Sequence, residues 1–152
     1  MEKYEIEHQH NLTPEDECLV LISMLTGYPL EEVREQVEPR LRKAAGWYGR
    51  DFIATFRKMG YDCSPKFKPF DKDTPYPCLM RYGPSRMLLA RETVERRREK
   101  GNPDLKPSPW WNVLVYYDGL VYDLDQPAPF PLHHLNPDYR ITSMLQVWVS
   151  NL

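Results

Sequence analysis

The sequence predicts an α+β domain, and three observations carry that expectation. Apolar residues recur at helical spacing from Cys18 to Met59, the pattern turns strand-like after Tyr61, and an Asp118-Gly119 pair separates two β-rich runs. Helices first and a hairpin-bearing antiparallel sheet second is the order of an α+β fold, in contrast to the strict alternation that builds a parallel sheet.

Thr13-Pro14-Glu15-Asp16 announces the first helix: a hydroxyl to cap it, proline at the first helical position, and acids in the positive first turn. Cys18-Leu-Val-Leu-Ile-Ser-Met-Leu25 follows and Gly27 stops it. This run is apolar almost all round, which predicts a buried central helix. With Thr13 as the cap, Cys18 falls in the second turn, where the helix dipole has faded. A second helix opens at Pro29, with Leu30, Val33 and Val37 on one stripe and Pro39 beyond it. A third spans about Arg50–Met59, with Phe52, Phe56 and Met59 sharing a face and Gly60 ending it.

Cys78–Tyr82 reads as a strand. Trp111–Tyr117, Asp118-Gly119 and Leu120–Leu124 read as a hairpin, because Asp-Gly is a strong signal for a two-residue turn. Met144–Val149 reads as a closing strand. Between the first strand and the hairpin, Arg86–Lys100 is expected to be helical and Gly101–Pro109 a proline-rich loop. Together they form an insertion at about 85–109 in one domain spanning 1–152.

A chain of 152 residues can bury about two-thirds of its unfolded surface, so it needs no staples to fold. The net charge of −2 supplies no global attraction for a nucleic-acid polymer, which is not expected as a partner. No run approaches the roughly 20 apolar residues that span a bilayer, and Met1–His10 is too polar for a signal peptide. No membrane association is therefore expected, and oligomeric state is left open. Cys18, Cys63 and Cys78 are odd in number and form no CxxC pair, which points to a reducing, cytoplasmic compartment. His8-x-His10 and His133-His134 lack ligand partners at useful spacing, so neither a metal nor any other cofactor is expected.

Three stretches together are similar to papain-fold cysteine peptidases of the bacteriocin-leader-processing type and their small bacterial and phage relatives. Asp16-Glu17-Cys18 with Ser23–Val33 resembles that family's nucleophile segment, Phe52–Tyr61 its helix ending in Leu-Gly-Tyr, and Val113–Leu124 its hairpin. The resemblance implies a papain-like arrangement in which a buried helix packs on an antiparallel sheet. It also implies that Cys18 occupies the nucleophile position and Asp123 the orienting acid. The histidine position falls at Asn112, or at Trp111 or Val113 to either side, and none of these is histidine. Asparagine cannot accept a proton near neutral pH, so the resemblance implies a catalytically incomplete enzyme.

Simple hairpin register, continued past the turn, pairs Tyr117 with Leu120, Leu114 with Asp123 and Asn112 with Asp125. That puts Asn112, Leu114, Tyr116, Asp123 and Asp125 on one face. The chain is accordingly expected to bind a small ligand, anionic or nucleotide-like, or a peptide. Asn112, Tyr116, Asp123 and Trp111 would line the cleft, helped by Arg86 and Arg91. The segment Arg86–Lys100 supports the anionic option, with six positive against three negative residues. A phage accessory protein acting in the host cytoplasm and sequestering a host signal would fit these features. Two other readings compete: an active cysteine peptidase or deamidase using Cys18 with His10 or His133 as base, and a protein–protein interaction module.

Overall fold

The computed structural model describes residues 4–10, 16–42, 47–84, 112–135, 137 and 139–149. Helices α1 (Glu17–Thr26), α2 (Leu30–Gln36) and α3 (Gly49–Lys58) come first, with a 3₁₀ turn at Pro39–Leu41 between the last two. Strands β1 (Tyr61–Cys63), β2 (Cys78–Pro84), β3 (Asn112–Tyr117), β4 (Leu120–Tyr122), β5 (Phe130–Pro131) and β6 (Tyr139–Val149) follow. They form one antiparallel sheet in the order β1-β6-β2-β3-β4-β5. The α+β order read from the sequence is the order observed. The short edge strands β1 and β5 were not anticipated, since runs of three and two residues are too short for any period to register. The insertion at about 85–109 lies outside the described residues.

Helix α1 is central, as its composition predicts: Leu19 through Leu25 are all buried, and Gly27 ends the helix in the left-handed conformation at φ 77°. Helix α2 contributes Val33, and Val37 follows at its end; both are almost fully buried. Helix α3 buries Phe52, Thr55 and Phe56 and turns Arg50, Arg57 and Lys58 outward. Its N-terminus is closed by Asp51, which accepts the Tyr48 N–H at 2.9 Å and is itself buried beside Arg40 at 3.3 Å.

The sheet is buried on both faces. On one side, Leu79, Val115, Tyr117, Tyr122, Leu145 and Val147 pack against the helices in the main core. On the other, Cys78, Met80, Tyr82, Leu114, Tyr116, Val121 and Met144 form a second core under Phe70, Phe130, Leu132 and Leu135. Alternation along each strand separates the two sets. Burial on both faces explains why Cys78–Tyr82 reads as a continuous apolar run broken by one charge, Arg81. Among the described residues, no helix is long and apolar enough to cross a membrane.

Candidate functional site

Cys18 lies in the first turn of α1, which begins at Glu17 with Asp16 at the cap. The expected cap, Thr13, lies outside the described residues, and the second-turn placement of Cys18 is corrected by this start. A first-turn thiol is ordinarily activated by the helix dipole. Here the opposite outcome holds. Burial pushes the thiol up to about 12, with Glu17 adding to the rise; the Trp47 backbone N–H opposes it only in part, and Asp51 adds again. The thiol is therefore protonated at neutral pH and half-buried against the main core.

The hairpin turns as the Asp-Gly pair predicts, with both turn residues at positive φ, Asp118 at 49° and Gly119 at 83°. Tyr117 pairs with Leu120, Tyr116 with Val121 and Val115 with Tyr122. The named ladder ends there, so the expected pairs Leu114–Asp123 and Asn112–Asp125 do not continue it. The physical cause is local: the Asp123 side chain accepts the Asp125 N–H at 2.9 Å, and its carbonyl accepts the Gln126 N–H at 3.1 Å. That turn swings the chain out of the strand and buries Leu124 in the helix-side core.

The expected single cleft is divided by the sheet. Leu114 and Tyr116 belong to the core on the face opposite the helices, whereas Cys18 packs on the helix side. Tyr116 is fully buried and donates its hydroxyl to the Lys72 carbonyl at 2.5 Å, so the phenol is engaged in the fold. Its edge borders a hollow of ≈ 600 Å³ shared with Lys72, Thr74, Asp118 and His133. Asn112 opens β3 with its backbone paired to Tyr82. Arg86, Arg91 and Trp111 lie outside the described residues. Near the start of β3, the residue that packs on the helix-side core is Val113. Val113 is one of the three positions offered for a histidine, and it is apolar.

The histidines are placed elsewhere. His8 donates from Nε2 to the Gln126 carbonyl at 2.7 Å, its ring lies 6.1 Å from that of Tyr122, and its Nδ1 is buried with no hydrogen-bond partner. His10 is exposed, and His133 packs edge-on against His134 at 4.3 Å beside Leu132. The groups that set the Cys18 titration are acids and a backbone amide, with no imidazole among them. Among the described residues, no group of three or more metal-ligating side chains could hold an ion.

Asp123 borders both sides of the sheet end. Toward the helices it acts with Asp125 on Glu17, whose carboxyl is raised first by partial burial and then by these two charges. Toward the other face it lines a hollow of ≈ 450 Å³ with Tyr82, Phe130, Leu135, Gln126 and His134. Apolar walls with a few convergent polar groups are the general composition of a ligand pocket.

One charged residue escaped the sequence reading. Arg81 stands on β2 at a helix-facing position, directly paired with Val113 and Ser143. Its guanidinium lies 3.6 Å over the Phe67 ring, and burial lowers its pKa. Beside it the β2–β6 register shifts between Arg81 and Tyr82, leaving Thr142 as an extra residue in β6. Such bulges re-aim neighbouring side chains. The detectable signal was a lone charge within the buried run Cys78-Leu-Met-Arg-Tyr82.

Comparison of the chain with protein-family models, curated proteins and solved structures found no match.

Proposed function

We propose that this chain is a non-catalytic binding protein on a papain-like α+β scaffold, holding a small or peptide ligand at the sheet end where β2 stops and β3 begins. The observation that carries the reading is the state of Cys18: a thiol raised to about 12 by burial and by acidic neighbours. Thiol catalysis needs a thiolate, made by a cation or by a base within hydrogen-bond reach. In place of a base, the helix-facing position near the start of β3 holds Val113. A papain-like ancestry accounts for a cysteine in the first turn of a buried helix facing such a hairpin.

The binding half of the proposal is supported by the hollow around Asp123. Tyr82 and Phe130 offer aromatic surface, Leu135 an apolar wall, and Asp123 and His134 polar groups at its rim. The test is a thermal-shift panel of nucleotides, amines and short peptides against the wild type and Asp123→Ala. A ligand at about 100 times its dissociation constant adds about 2.7 kcal/mol to the folded state. A hit that Asp123→Ala abolishes supports the reading. Hydrolysis of any panel peptide, lost in Cys18→Ser, would overturn it in favour of the peptidase.

A further inference from the structure

We propose that Arg81 forms an oxyanion-binding site on the helix side of the sheet, taking the carboxylate or phosphate group of a ligand. The site is separate from the Asp123 hollow and can exist whether or not that hollow is filled.

The first argument is the missing counter-charge. Among the described residues Arg81 makes no ion pair, and its described side-chain partner is the face of Phe67. Desolvated charges in proteins are ordinarily paired, because an uncompensated one is costly. A ring face compensates a guanidinium weakly and leaves its in-plane N–H donors unused. Two acids at the starts of the helices are committed elsewhere: Asp51 accepts from Arg40 and the Tyr48 N–H, and Asp16 pairs with Arg34 at 3.1 Å.

The second argument is how the fold holds the group. Stacking on Phe67 fixes the guanidinium plane, and a planar fork held in place is suited to bidentate contact with a carboxylate or phosphate. Gly49 gives the fork room: a Cβ there would sit 3.1 Å from Phe67 and 3.4 Å from an Arg81 terminal nitrogen. Gly49 opens α3, so the room beside the fork is set by the start of that helix. A cation held over Phe67, with no ion-pair partner among the described residues, is suited to receive an anionic group.

Arginine-selective modification with phenylglyoxal, followed by peptide mass spectrometry, tests this on the wild-type chain. Rates at Arg81 are compared in chloride, acetate and inorganic phosphate at matched ionic strength, with exposed Arg57 on α3 as internal reference. The expected result is at least threefold protection of Arg81, with Arg57 unchanged. Protection by acetate alone assigns a carboxylate ligand, and protection by phosphate alone a phosphorylated one. Equal rates in all three salts, or no modification of Arg81 in chloride, would overturn the proposal. Arg81→Gln should lose any anion-dependent rise in melting temperature, and Arg81→Lys should keep part of it. If Arg81→Gln fails to fold, the wild-type protection measurement decides alone. Binding at the Asp123 hollow is read separately by Asp123→Ala, so failure of one site leaves the other measurable.

Discussion

Arg81 and Val113 lie directly opposite each other across the β2–β3 ladder, and both belong to the helix-facing side of the sheet. A cation therefore sits across the ladder from Val113, one of the three positions at which the proposed papain-like resemblance would put an imidazole. Val113→His is expected to fold yet to hydrolyse no fluorogenic peptide. An imidazolium opposite Arg81 is disfavoured by like charge, and the Cys18 thiol stays buried next to Glu17 and Asp51. Measurable turnover by this variant would show that one substitution completes a working pair.

Alkaline pH should destabilise the fold. Burial holds Cys18 and Cys78 up at about 12, above the ordinary thiol value of roughly 8.5. A raised folded-state pKa contributes stability that is complete below the unfolded value and disappears as pH climbs through the folded one. The loss should thus begin near pH 9 and grow toward pH 12. Tyr4, Tyr61, Tyr116 and Tyr122 are raised as well and act in the same direction. Urea midpoints at about pH 8 and pH 10.5 check this, with Cys78→Ala expected to shrink the difference between them.

The hairpin turn can be tested through its glycine. Gly119 sits at φ 83° with nothing within 4 Å of the place a methyl group would take, so strain and not collision decides the outcome. Gly119→Ala should cost about 1–2 kcal/mol by denaturant titration, the usual penalty for an L-residue in the left-handed region. An unchanged midpoint would mean that the turn relaxes into another type.

Tyr116 separates a structural from a ligand-binding role. Tyr116→Phe removes the bond to the Lys72 carbonyl and should cost about 0.5–1.5 kcal/mol, leaving ligand affinity at Asp123 unaltered. A loss of affinity without loss of stability would return the phenol to the binding surface.

Much of the fold was legible because its signals were local. The all-apolar run after Cys18, the stripe of Phe52, Phe56 and Met59, and Asp118-Gly119 each specify their own element without reference to the rest of the chain. The site was less legible because it depends on where the ladder ends. Continuing the pairing past Tyr122 assumed a regular strand, while the Asp123 side chain bonds locally and turns the chain. Strand alternation then set Tyr116 on the face away from Cys18, a consequence of sheet order that no single segment reveals. Arg81 was overlooked because its significance rests on which carboxylates the surrounding elements withhold from it, and those elements are far apart in the chain.

The central claim, that Cys18 is inert, is tested most directly by the pH dependence of its alkylation. Iodoacetamide labelling followed by peptide mass spectrometry should be at least about a hundredfold slower at Cys18 than at free cysteine near pH 7, since only the thiolate reacts. The rate should keep rising to pH 10 and beyond without a plateau, in keeping with a thiol near 12. Rapid, selective labelling of Cys18 that levels off below about pH 8 would contradict the account and make the cysteine a nucleophile.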